Sequence, residues 1–161
     1  MAEKFVLVST LDSLEKGEQF TLWPLHVTVM PWFSMPDGNR QAFKNTLTNR
    51  LHDVAPIVAR GDAEALFGLT KDVPVRTLHS MGALASLHAL ALEVVERFDG
   101  AVDSPYVGSN YIPHITNQNG EGIEEGQEVR FDAVQLIRGD VNGLRTVERV
   151  FYLANETKRL A

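Results

Sequence analysis

The 161-residue chain contains no cysteine, which removes disulfide frameworks, thiolate zinc sites, iron–sulfur clusters and cysteine nucleophiles from consideration. It also lacks a long apolar run. The most hydrophobic stretch, Met81 to Val95, is interrupted by Ser86, His88 and Glu93, whereas a membrane-spanning helix needs about 20 predominantly apolar residues. Near the start, Phe5-Val6-Leu7-Val8 is too short for the roughly 7 to 15 residue core of a signal peptide. A soluble, cytoplasmic protein with no membrane partner is expected. Positive charge is in deficit, with 15 Lys and Arg against 21 Asp and Glu and a net charge of −6. A long nucleic acid therefore meets a repelling average field, while a small anionic ligand in a local pocket is compatible with it. Glycine (12) and proline (7) are not in excess, and no repeat of 20 to 50 residues appears, so collagenous, low-complexity, solenoid and propeller architectures are excluded. Since domains commonly run to roughly 100 to 200 residues, one domain over 1–161 is expected.

The apolar pattern divides this length into short elements. Phe5 to Val8 reads as a buried strand and Asp12 to Glu18 as a charged turn. Val27, Thr28 and Val29 are β-branched, and Pro24 and Pro31 confine the next strand to about Leu25 to Met30. Phe43, Leu47, Leu51 and Val54 recur at helical spacing after Asp37, a candidate N-cap, which predicts a helix over Gly38 to Val54. Ile57 to Ala59 and Val73 to Ser80 read as strands separated by a turn-rich piece with Gly61, Gly68 and Asp72. Leu84, Leu87, His88, Ala91, Leu92 and Val95 form the stripe of a second helix that ends near Phe98 at Gly100. The strand YIPHIT (111–116) follows, then a polar loop from Asn117 to Gln127, then strands over Glu128 to Ile137 and Thr146 to Leu153. The order β, β, α, β, β, α, β, β, β predicts an α+β fold with a mostly antiparallel sheet and two helices as cover.

Two strands carry the same short pattern, His26-Val27-Thr28 and His114-Ile115-Thr116. Alternation of side chains puts His26 and Thr28 on one face and Val27 on the other, and His114 and Thr116 share a face in the same way. Two imidazoles and two hydroxyls suit phosphodiester chemistry, in which a nucleophile loses a proton on one side of phosphorus while the leaving oxygen gains one on the other. Histidine's unperturbed pKa of about 6.5 lets one ring be neutral and the other protonated near neutrality. Threonine hydroxyls can hold the charge on the non-bridging oxygens. No metal or other cofactor is chemically required.

HVTV at 26–29 and PHIT at 113–116 resemble the paired His-x-Thr/Ser-hydrophobic motifs of the 2H phosphoesterase superfamily, the group of 2′,5′ RNA ligases and cyclic phosphodiesterases. The order of strands and helices around the motifs is similar over nearly the whole chain. The resemblance implies a bilobal, pseudo-symmetric fold of two mostly antiparallel β-sheet lobes, with helices outside and a central cleft lined by both motifs. It also implies metal-independent hydrolysis or transfer at a 2′,3′-cyclic phosphate, a cyclic nucleotide or a 2′,5′-linked RNA end. By resemblance to the cyclic-phosphate hydrolases, His114 is the base toward water, His26 the acid toward the leaving ribose oxygen, and Thr28 and Thr116 bind phosphate. The second motif departs from the pattern at Asn117, where the family has a hydrophobic residue, and this points to an early end of that strand.

Blander roles are set beside these. Either His-x-Thr alone reads as a strand-end histidine with a satisfied hydrogen bond, and only the pair with its topology favours catalysis. His52 reads as solvent-facing, His88 as helix packing and His79 as a marginal cleft residue. Trp23, Trp32, Tyr106 and Tyr111 flank the motifs; packing is their default, with Tyr111, Tyr106 and Trp32 as candidates to stack on a nucleobase. Arg76, Arg138 and Lys71 are candidate cations toward a phosphate. A zinc site built from His26, His114 and His79 or Asp103 lacks a ligand-spacing signature and ranks second to the metal-free reading. The expected partner is a small nucleotide or RNA terminus. The functional alternative is a module that holds such an end without turnover.

Overall fold

The computed structural model describes residues 3–154. The chain runs through β1 (Lys4–Thr10), β2 (Gln19–Phe20), β3 (His26–Ser34), α1 (Arg40–His52), β4 (Ile57–Phe67), β5 (Val73–His79), α2 (Ala83–Arg97), β6 (Ala101–Val102), β7 (His114–Thr116), β8 (Glu128–Phe131), β9 (Ala133–Gly139) and β10 (Arg145–Tyr152). The strands join in one ten-stranded sheet of order β2-β10-β9-β1-β3-β7-β5-β4-β8, with β6 also on β3. The pairings are antiparallel, as the α+β reading requires. No helix among the described residues is long and apolar enough to cross a membrane.

The sheet consists of two half-sheets that meet along one seam. β2, β10, β9, β1 and β3 make the first and β7, β5, β4 and β8 the second. At the seam β3 and β7 pair through Val27 opposite Ile115. The chain returns from the second half to the first at Asp132. The stretch predicted as one strand over Glu128 to Ile137 is therefore two, β8 paired with β4 and β9 paired with β1 and β10. Aspartate fits a ladder poorly, and here its carboxylate accepts from Arg130 Nε at 2.8 Å while its carbonyl accepts from Leu153 N at 2.9 Å.

The uninterrupted apolar run of β1 is explained by burial on both faces. Phe5 and Leu7 enter the main core beneath the helices, whereas Val6 and Val8 enter a smaller cluster on the opposite face with Ile137 and Val147. Helix α2 packs on β3, α1 on β10, and the helices on each other, so both lie on the main-core side. The other face is covered only locally, by Phe20, Trp23 and Trp32 among others, and it carries the candidate site.

Three expectations change for local reasons. β4 passes through Gly61 instead of turning there, because a Cβ at this position would lie 2.2 Å from the Glu124 carbonyl oxygen. This glycine marks a bulge and a close backbone approach. β3 runs past Pro31 to Ser34, since the register against β1 shifts between Met30 and Phe33 and the irregularity accommodates the missing donor. Asp37 does not cap a helix; it sits in a 3-10 turn and pairs with Arg40 at 2.8 Å, and α1 starts after Asn39.

Candidate active site

The antiparallel register at the seam sets the site. With Val27 opposite Ile115, His26 falls opposite Thr116 and Thr28 opposite His114, all four on one face. Val27 and Ile115 are fully buried on the other. An axis through the Val27–Ile115 pair exchanges the two motifs. The imidazoles thus occupy a cross-strand diagonal, for which the separation is about 7–8 Å at the backbone.

Each ring is fixed in the same way. His26 Nδ1–H donates to the carbonyl of Pro24 at 2.8 Å, and His114 Nδ1–H to that of Ile112 at 2.7 Å. In both, the acceptor lies two residues earlier. The bond selects the tautomer and leaves Nε2 of each ring without a hydrogen-bond partner among the described residues. Each ring also has one aromatic wall, Trp23 against His26 at 4.7 Å between centroids and Phe67 edge-on to His114 at 4.6 Å. Burial pushes His26 below the ordinary histidine value, and the nearby His114 acts in the same direction against the Pro24 hydrogen bond. His114 is likewise lowered by burial, opposed by its bond to Ile112.

A cavity of 410 Å³ opens beside this diagonal, lined among others by Thr28, His114, Phe67, Lys71, Tyr106 and Tyr111. His26 and Thr116 continue the same sheet face outside its wall. Tyr106 stands at the rim and is largely exposed. Tyr111 donates its hydroxyl to the Thr28 carbonyl at 2.7 Å and stacks on His88 at 4.1 Å, the planes within 2° of parallel. Burial raises its pKa far above the ordinary tyrosine value. Trp32 is not in this cavity; it lies further along β3, in edge contact with Trp23.

The remaining candidates separate cleanly. Arg76 is engaged by Glu64 and by the carbonyls of Asp62 and Ile123, and Arg138 by Glu148 and Glu3. Lys71, at the β4–β5 turn, is the candidate cation that reaches the cavity. His52 and His79 are exposed. Among the described residues no three His, Cys, Asp or Glu side chains converge to hold a metal ion. Phe67 and the wall role of Trp23 were not foreseen. Phe67 lies far from both motifs in sequence, beside a Gly68 that signals only a turn.

His88, as expected, is a packing residue. Its Nδ1–H donates to Val29 O at 2.8 Å and its Nε2 accepts from Gly108 N at 2.8 Å, an arrangement open only to the neutral ring. It ties the loop before β7 to β3. Burial lowers its pKa, against the Val29 bond. Its stabilising effect is therefore complete above 6.5 and is lost as pH falls from there through the folded-state value. Urea unfolding at pH 7.5 and 5.5 is expected to show lower stability in acid, each such histidine contributing at most about 1.4 kcal/mol per pH unit. His88→Asn is expected to have the shallower pH slope; an unchanged slope would mean that His88 titrates normally in the folded state.

Comparison with known proteins agrees with the geometry. Residues 3–149 match the family model described as the 2′-5′ RNA ligase superfamily. No curated protein matches the chain. Among solved structures, one described as a phosphoesterase superposes with a TM-score of 0.66 at 13% identity, over 95% of this chain and 99% of that one. LigT of E. coli, complexed with 3′-AMP, gives 0.66 at 14% over 96% and 100%, and TT0787 of Thermus thermophilus gives 0.61 at 18% over 95% and 99%. At these identities the superpositions speak for the fold, and the family match speaks for descent: the chain belongs to the 2′-5′ RNA ligase superfamily, the 2H phosphoesterases.

Proposed function

We propose that this protein is a metal-independent phosphoesterase acting on a 2′,3′-cyclic phosphate, a cyclic nucleotide or a 2′,5′-linked RNA end. The observation that carries the reading is the pair of imidazoles on the seam diagonal, each with Nδ1 pinned and Nε2 without a hydrogen-bond partner among the described residues. In the hydrolytic direction His114 Nε2 takes a proton from water as its oxygen bonds to phosphorus. The bond from phosphorus to one ribose oxygen breaks, and His26 Nε2–H protonates that oxygen, leaving a phosphomonoester. The roles of the two rings follow the family resemblance and exchange in reverse. Thr28 and Thr116 donate to the non-bridging oxygens, Lys71 adds positive charge, and Tyr106 and Tyr111, which line the cavity, offer the base aromatic contact. The complex of LigT with 3′-AMP, a nucleoside carrying a ribose phosphate, supports this substrate class.

The test is turnover on a panel of 2′,3′-cyclic nucleotides and 2′,5′-linked dinucleotides, with product isomers resolved, in the presence and absence of EDTA. Turnover is expected and is expected to survive chelation. Loss in EDTA with recovery on zinc or manganese would require a metal in the mechanism, and tight binding of the panel without turnover would establish a binding module.

A further inference from the structure

The sheet face that carries the imidazoles continues beyond them as a row of flat side chains. From His26 the row passes to Trp23 at 4.7 Å, from Trp23 to Trp32 at 6.4 Å, and ends at the Arg145 guanidinium, 4.9 Å over the Trp32 ring. Packing places the two indoles on one face, since Trp23 and Trp32 both lie against the cluster of Val6, Val8, Ile137 and Val147, and the register brings Arg145 to the same side. Val8 is opposite Thr28 and also opposite Gln135, and four residues further along β1 and β9, Lys4, Gly139 and Arg145 are aligned. Gly139 makes room, since a Cβ there would meet the Trp32 ring at 2.8 Å and Arg145 Nη1 at 3.2 Å. Trp32 lies four residues from Thr28, about 13 Å along the strand.

Arg145 is unusual in how few partners its side chain has among the described residues. Among these its side chain forms no ion pair, its Nε is buried with no acceptor, and its one side-chain hydrogen bond, from Nη1 to Leu144 O, is 3.5 Å long. The carboxylates around it are committed elsewhere. Glu3 pairs with Arg40 and Arg138, Asp103 with Lys4, and Asp140 accepts from the N–H groups of Asn142 and Leu144. The guanidinium borders an 820 Å³ cavity lined also by Trp32, Lys4 and Arg138 and by the carboxylates of Glu3 and Asp140. A stacked, unpaired guanidinium beside indole rings is a receptor for a phosphate whose base has an aromatic face to rest on.

We propose that Trp23, Trp32 and Arg145 form an extension subsite, in which Arg145 binds a backbone phosphate one or two nucleotides away from the reacting one, so that the substrate is a short oligonucleotide end. The proposal rests on the phosphoesterase reading and narrows its substrate class. A local cation of this kind also reconciles nucleic-acid binding with a chain of net charge −6, because only a few phosphates are engaged.

The test compares kcat/KM for a 2′,3′-cyclic mononucleotide and for a trinucleotide ending in the same cyclic phosphate. The wild type is expected to favour the trinucleotide by about ten- to a hundredfold, the range of a charged hydrogen bond. Arg145→Gln is expected to erase that preference while the mononucleotide rate stays within about twofold, and Arg145→Lys to restore part of it. No length preference in the wild type, or an equal loss on both substrates in Arg145→Gln, overturns the subsite. If neither substrate turns over, quenching of tryptophan fluorescence by a 3′-phosphorylated trinucleotide and by adenosine 3′-phosphate decides. Tighter trinucleotide binding that Arg145→Gln abolishes upholds the subsite while the catalytic reading falls, and equal binding of the two overturns the subsite.

Discussion

His26→Ala and His114→Ala are each expected to lower kcat by about 10² to 10⁴, the usual contribution of a positioned general acid or base, with folding retained because both rings lie on the open face of the sheet. Thr28→Ala and Thr116→Ala remove a hydrogen bond to a charged group, worth roughly 1.5 to 3 kcal/mol, and are expected to cost about one to two decades. Steady-state kinetics on the best cyclic substrate, with circular dichroism as the folding control, reads the order histidine over threonine. Near-native turnover in both histidine variants would end the acid–base assignment. The pH dependence adds an independent check. One ring must be neutral and the other protonated, so kcat/KM should follow a bell whose limbs belong to the pair. Burial lowers both histidines, and the charge of His114 lowers His26 further, so the alkaline limb is expected below 6.5. A bound phosphodiester favours the imidazolium, which moves the limbs of kcat to higher pH than those of kcat/KM. Each histidine variant should lose one limb.

The common face of the two His-x-Thr pairs was legible because the pleat forces a period of two, and three residues of strand suffice to apply it. Strand adjacency was not legible. That β3 lies against β7 is a contact between distant parts of the chain, and only the family resemblance pointed to it. Alternation also fails where a ladder is irregular. Val29 and Met30 are both buried in the helix-side core, so strict counting from Thr28 misplaces Met30, while Trp32, back on the face of Thr28, lies in the aromatic row rather than in the cavity with Tyr106 and Tyr111. Gly61 looked like a turn because sequence alone cannot separate a glycine that bends the chain from one that another backbone presses upon. Asn117 gave a clearer signal. β7 ends at Thr116, and the Asn117 side chain lies so close to Gly122 that a Cβ there would fall 2.3 Å from its Oδ1. Arg145 had no signal at all, since its significance lies in the side-chain partners it lacks among the described residues.

The stability of the site is expected to depend on Ile115 far more than on its near neighbour Ile112. Both are isoleucines beside His114, yet Ile115 is fully buried and Ile112 is half exposed at the cavity. Ile115 sits in the main core between the two motif residues of β7 and pairs with Val27 across the seam, the only register pair between the half-sheets at β3 and β7. Truncating a fully buried isoleucine to alanine costs about 2 to 5 kcal/mol, the lost burial plus the cavity left behind. For a chain of this length that corresponds to a fall in Tm of roughly 4 to 20 °C. Ile112→Ala is expected to stay within about 0.5 kcal/mol of the wild type. Because β7 is only three residues long, it has few other anchors, and the cavity behind Ile115→Ala loosens the strand that carries His114 and Thr116. Well below its Tm, the variant is therefore expected to lose kcat more than a core substitution remote from the seam, such as Leu47→Ala in α1, which is also fully buried. Urea unfolding of the three variants and kcat measured where each remains folded separate the two effects. Equal kcat in Ile115→Ala and Leu47→Ala would show that the seam supports stability alone and leaves the spacing of the imidazoles to other contacts.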